Sequence, residues 1–154
     1  MLIFAVISLP FGRGQFYAGD MPCEALPAHI ETIAYAKAHS LPVIMHSCGY
    51  VEPLLPHMIE AGIDCLQVLE VKAGMDPVKL HRLYGDRICF MGGIDVRALY
   101  SNDRAVIDRE LEAKVPLMKV GYNFMLHSDH SIPSTVMYET YRYFIEKGLS
   151  LGQY

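Results

Sequence analysis

His46 and Cys48 stand two residues apart at the end of the apolar run LPVIM. On an extended strand a spacing of two puts both side chains on one face. Imidazole nitrogen and thiolate sulfur are good zinc donors, and Gly49 lets the backbone turn away directly after them. Spacing alone better suits a core cysteine beside a hydrogen-bonded histidine, and the place at a strand's C-terminal end brings the metal reading level with it. A second polar group, His127, Asp129 and His130, follows the apolar run Tyr122–Leu126. His127 and Asp129 share a face if the strand persists, and His130 begins the turn into Ser131-Ile132-Pro133. One of the three is expected to close a metal shell, because catalytic zinc keeps three protein ligands and one open position. The competing expectation is that the histidines cap the loop or bond only to a neighbouring carboxylate.

Two carboxylates end further apolar runs. Glu70 closes CLQVLEV, and Asp95 follows Gly92-Gly93-Ile94. Either suits proton carriage, support of His46, or acceptance of a substrate hydrogen bond. The structural alternatives are a loop ion pair with Lys72 for Glu70 and a helix N-cap for Asp95. Gly92 and Gly93 signal a close backbone approach, to a bound ligand or to a neighbouring loop. His29, His39, His57 and His81 fall on helices and are expected on solvated faces. Tyr138, Tyr141, Tyr143 and Phe144 are expected to pack a helix onto the sheet.

The elements that must position these groups repeat one pattern. Residues 27–39 read as a helix with Pro27 at its first position, Leu26, Ile30, Ile33 and Ala34 on one face, and Lys37 snorkelling at its edge. Strands are expected over 41–45, 65–71, 87–91 and 122–126. Helices are expected over 53–61, 77–84, 103–113 and 136–147, with Gly62, Gly85 and Gly148 as stops and Asn102 as a cap. Short apolar strands alternating with helices make an α/β fold with a parallel sheet buried on both faces. Each strand ends in polar or small residues. A (β/α)8 barrel delivers every strand end to one mouth, whereas an open sheet does so only at its switch point. Four such ends in a row favour the barrel, and no glycine-rich dinucleotide fingerprint is present.

At 154 residues the chain can hold one domain with a real core, and 52 % apolar against 19 % charged residues makes it globular. A net charge of −4 without a basic cluster argues against a nucleic-acid partner. No apolar run reaches the ~18 residues of a membrane span. Four cysteines without close spacing are not a disulfide scaffold, and Cys65 and Cys89 sit in apolar runs as buried small hydrophobes. The opening Met1–Pro10 lacks signal-peptide anatomy and suits a buried strand or a start inside a longer gene. A cytoplasmic protein is expected.

The run LPVIMHSCGYVEPLLPHMIEAGIDCLQ, continuing through YGDRICFMGGIDV to SDHSIPSTV, resembles uroporphyrinogen decarboxylase-like proteins. These include zinc-dependent methyltransferases that act with corrinoid proteins. The likeness covers residues from about Pro22 onward, after an atypical leader over 1–20. HSCG, YGD, GGID and DHSIP in that order are specific for the superfamily and not for one reaction.

The resemblance implies a (β/α)8 barrel, of which this chain is the C-terminal half: about four strand–helix units preceded by a helix. It implies zinc held by His46 and Cys48, with His130 standing where the methyltransferases carry a later cysteine. In true decarboxylases a histidine of a Gly-His-Gly-Ile stretch lines the substrate site, and His130 matches it too. The decarboxylases' N-terminal arginine- and aspartate-bearing motifs have no counterpart here. The expected activity is methyl transfer between a corrinoid protein and a thiol or an O- or N-methyl compound. Tetrapyrrole decarboxylation is the alternative, with Arg97 the one arginine near a strand end. The third expectation is an inactive half-barrel that self-associates or binds a complementary half.

Overall fold

The computed structural model describes residues 5–8 and 25–153. Cys23, the side chains of Leu26 and Pro27, and the leader apart from Ala5–Ser8 lie outside the described residues. Strand β1 (Ala5–Ser8) pairs in parallel with β2 (Val43–Ser47), β2 with β3 (Cys65–Val68), β3 with β4 (Cys89–Gly92), and β4 with β5 (Phe124–Met125). The order β1-β2-β3-β4-β5 is the order of the strands along the chain. A doubly wound sheet reverses its order at a switch point; these five strands do not. The fold is α/β, a parallel sheet alternating with helices, compatible with part of a (β/α)8 barrel.

The helices are α1 (Ala25–Ala38), α2 (Leu55–Ala61), α3 (Pro77–Tyr84), α4 (Arg97–Tyr100), α5 (Arg104–Met118) and α6 (Tyr138–Gly152). One face of the sheet packs under them. Val43, Met45, Leu66 and Phe90 join Ile33 and Ala36 of α1, Leu55 and Met58 of α2, and Leu80 of α3 in one core. A second core joins Leu99 of α4, Ile107, Leu111 and Val115 of α5, and Phe144 of α6. The opposite face carries Ile44, His46, Gln67, Cys89 and Met91, all half-buried, and Met125, which is exposed. Among the described residues, no helix is long and apolar enough to cross a membrane.

Local physics corrects several expectations from the sequence. Helix α1 begins at Ala25, two residues before Pro27, and buries Ile33 and Ala36 while Ile30 and Ala34 are exposed. Lys37 does reach the edge, where it pairs with Asp64 at 2.5 Å. Residues 53–54 form the end of a 3-10 turn, Glu52–Leu54, ahead of α2. The cap of α5 is Asp103, whose carboxylate accepts the Ala105 N–H at 2.9 Å. Asn102 instead takes a left-handed conformation and ties residue 102 to the approach of α6, accepting from Met137 N and donating to Thr135 O. Gly148 does not end α6 but lies inside it, because a Cβ there would meet Leu126 Cδ2 at 2.4 Å. Strand β5 shrinks to two residues, since Tyr122 is left-handed (φ +66°) and extended pairing cannot pass through it.

Candidate metal centre

Parallel pairing aligns the C-terminal ends of β2, β3, β4 and β5 on one side of the sheet. His46 is the fourth residue of β2, and its register partner on β3 is Gln67. The two side chains meet on the face away from the helices, where the Gln67 Oε1 lies 3.0 Å from His46 Nδ1. An amide oxygen can only accept, so Nδ1 carries the proton and Nε2 presents its lone pair. That lone pair faces Cys48, whose thiol donates to Nε2 at 3.4 Å. Burial pushes the Cys48 thiol up, the Glu70 carboxylate adds to this, and Lys72 opposes it. The free thiol is therefore protonated at neutral pH, and a coordinating cation would have to displace that proton.

A cavity of about 600 Å³ opens beside this pair. Its walls include His46, Cys48, Gln67, His127, His130 and Tyr141. The strand-end loops around it are tied together by two carboxylates. Glu70 Oε2 accepts the Gly49 N–H at 2.7 Å and Oε1 pairs with Lys72 at 3.1 Å, joining the end of β2 to that of β3. Burial raises the Glu70 pKa, but the Gly49 bond, Lys72 and His130 outweigh it and hold the carboxyl below its usual range. Asp129 is wholly buried. Its Oδ2 accepts Val71 N at 2.9 Å and its Oδ1 accepts Val96 N at 2.8 Å, while its own N–H donates to Ile94 O at 2.8 Å. One side chain thus fastens the loops after β3, β4 and β5.

The structure brings His46, Cys48, His127 and His130 to one cavity and leaves other candidates outside it. Asp129 borders the cavity, but both its oxygens are already engaged by backbone N–H groups. His127 turns Nδ1 onto the Ser128 carbonyl. Asp95 is engaged by Arg97, which donates from Nε to both carboxylate oxygens (2.8 and 3.0 Å) and from Nη2 at 2.5 Å; Arg97 N also donates to Oδ1. The Arg97 guanidinium holds the Asp95 pKa below its usual range. Asp95 lines a separate depression with Arg97, Arg109 and Glu110. Gly92 and Gly93 are tight against the chain itself: a Cβ on Gly92 would stand 2.1 Å from Val68 O, and one on Gly93 would stand 2.5 Å from Pro77 Cβ. Their close approach is to a neighbouring strand and to α3.

Sequence reasoning missed Gln67 and Tyr141. Gln67 is the one polar side chain in the Cys65–Val68 strand, and that interruption was its available signal. Tyr141 shares the first turns of α6 with packing residues and gives no comparable sign; it is 41 % exposed and faces the cavity rather than the core.

The donor set can be tested against zinc. Ligands at about 2.1 Å (nitrogen) and 2.3 Å (sulfur) on a tetrahedral ion stand roughly 3.6 Å apart. The 3.4 Å between His46 Nε2 and Cys48 Sγ has that spacing. The Gln67 contact is the outer-shell bond that a metal-bound histidine ordinarily makes. Among the described residues, no three His, Cys, Asp or Glu side chains are close enough together to hold an ion. Of the three expected ligands, His46 and Cys48 alone have ligand spacing, and His130, exposed on the loop after β5, lines the same cavity.

No curated protein matches the chain. A family model does, described as uroporphyrinogen decarboxylase (URO-D), over residues 23–148. That span contains every strand end described above except β1's, and the chain belongs to the uroporphyrinogen decarboxylase family.

Proposed function

We propose that this family member is a zinc-dependent methyltransferase, working in the cytoplasm on part of a (β/α)8 barrel, with a corrinoid protein as its partner. The observation that carries the reading is the His46–Cys48 pair at ligand spacing, with its imidazole oriented by Gln67. Zinc, when bound, supplies a Lewis acid that keeps a thiol deprotonated at neutral pH or polarises an O- or N-methyl group. His46 and Cys48 would hold it, and His130 would complete the protein shell. Gln67 keeps the His46 proton on Nδ1, so that Nε2 stays a donor. Lys72 and the Gly49 N–H keep Glu70 ionised, and its charge sets the local field beside Cys48. Tyr141 and Ile132 form part of the cavity wall.

A substrate thiolate seated in the cavity would take the methyl group from the corrinoid. The carbon–sulfur bond forms as the cobalt–carbon bond breaks, and the electron pair of the latter stays on cobalt. Thiolate rather than thiol is the nucleophile, so a site that lowers a thiol's proton affinity serves this reaction directly.

Decarboxylation of a tetrapyrrole carboxylate needs free cations at the mouth. Arg97, the arginine near a strand end, is committed to Asp95 through its Nε and Nη2, which favours methyl transfer. The test is incubation of the zinc-loaded chain with methylcobalamin and a panel of thiols, together with zinc binding by calorimetry. The proposal expects loss of the methylcobalamin spectrum with at least one thiol, and loss of both methyl transfer and zinc in Cys48→Ser. Zinc binding that survives Cys48→Ser unchanged would overturn it.

A further inference from the structure

Two other cysteines lie at the far end of the same sheet. Cys65 is the first residue of β3, Cys89 is the first of β4, and the two are register partners. Their strand neighbours Leu66 and Phe90 point into the core beneath the helices. Side chains alternate along a strand, so both thiols project from the opposite face. There the Cys65 thiol donates to Leu66 O and the Cys89 thiol to Phe90 O, both at 3.8 Å. The neighbouring Cys89 thiol, with burial adding to it, raises the Cys65 pKa, and the Cys65 thiol lowers that of Cys89. Cys89 is thus the readier of the two to give up its proton.

The surroundings are soft. Met91 stands two residues beyond Cys89 on the same face, and Met125 is its partner on β5. The nearest carboxylate, Asp64, is already spoken for: Oδ1 takes the Lys37 ammonium at 2.5 Å and Oδ2 accepts Val43 N at 2.6 Å. Cys65 is itself buried, but Cys89 and Met91 are half-buried and give access. The pair is also remote from the mouth. Cys65 is level with Ile44, four residues before Cys48, a separation of about 13 Å along a strand.

We propose that Cys65 and Cys89 form a second metal site, independent of His46 and Cys48, which takes a soft monovalent cation, copper(I), with the Met91 thioether as a third donor. Thiolate and thioether ligands select copper(I) over harder ions, and two or three such donors satisfy it. Zinc is disfavoured, because its sites take four ligands from nitrogen, oxygen and thiolate sulfur. Binding exchanges the two thiol protons for one Cu⁺, with no change of oxidation state, and leaves one net negative charge on the pair.

The experiment is an anaerobic titration of the reduced full chain with copper(I) in competition with bathocuproine disulfonate, read from the chelator complex's visible absorbance. Wild type should withhold about one copper(I) per chain, as a single dithiolate site would. His46→Ala and Cys48→Ser should withhold the same amount, and Cys89→Ser should withhold none. Met91→Leu should bind about tenfold more weakly, in the range seen when one supporting metal contact is lost. Circular dichroism of Cys89→Ser secures the comparison, since its side chain is only half-buried and serine keeps the shape. Cys89→Ser, folded, withholding as much copper as wild type would overturn the site, as would dependence on Cys48 or a wild type that withholds none.

Discussion

Gln67 touches no substrate in this account, yet it fixes which nitrogen of His46 is free. Its Oε1 can accept only a proton carried on Nδ1. Gln67→Leu removes that acceptor while keeping the side chain's bulk. Zinc affinity should fall about 10–100-fold with little change in melting temperature, measured by calorimetry and thermal denaturation. An equal fall in stability would mean that Gln67 serves packing instead. The nearness of His46 and Cys48 was legible in the sequence because period two on a strand is a rigid geometric rule. Gln67 was not legible, because its partner lies on another strand and register is set by tertiary pairing. Asp129 was read as a candidate ligand from its type. Its role as a buried staple between three loops depends on backbone N–H groups that a sequence does not display.

At the scale of the elements, Asp129 and Gly92 hold the strand ends in register. Asp129→Ala would leave the Val71 and Val96 N–H groups without their acceptor. Buried donors left unpaired cost ~1–3 kcal/mol each, so urea denaturation should show a loss of about 3 kcal/mol. Gly92→Ala meets a harder obstacle. Its φ is +120° and its new Cβ would stand 2.1 Å from a backbone oxygen. Backbone cannot give way as a side-chain tip can, and the variant should lose at least ~3 kcal/mol or fail to fold.

Helix α3 carries a pH dependence of its own. His81 was expected on a solvated face, but it is half-buried, its Nε2 has no hydrogen-bond partner among the described residues, and burial lowers its pKa. The unfolded chain protonates His81 near its ordinary value of about 6.5, while the folded chain resists until lower pH. In that window the unfolded state binds more protons, so stability falls as pH falls from 7 towards the folded pKa. His81→Gln should lose less stability than wild type between pH 7 and pH 5.5 in urea titrations. Equal losses would show that His81 is freely solvated.

For the whole molecule, the alternation of short apolar runs and helices made the α/β class and the parallel sheet readable. Strand lengths were less readable. The end of β5 turns on the left-handed Tyr122, and aromatic side chains in an apolar run look like any strand. One face of the sheet remains open among the described residues, with Ile44 and Met91 half-buried and Met125 at 40 % exposure. The outer edge of β5 has no strand partner among them either. Unpaired edges and wet apolar faces favour association. Sedimentation velocity at micromolar concentration should therefore find dimers or larger species. A monodisperse monomer would mean that the face is covered by the chain itself.

If His46 and Cys48 are metal ligands rather than only a hydrogen-bonded pair, isothermal titration of metal-free protein with zinc will show it, run on wild type and on the His46→Ala, Cys48→Ser double variant. We expect about one zinc per wild-type chain, as a single catalytic site would hold, and none at that site in the double variant. Folded wild-type protein that takes up no zinc, or a double variant that binds it as tightly as wild type, would rule the metal site out.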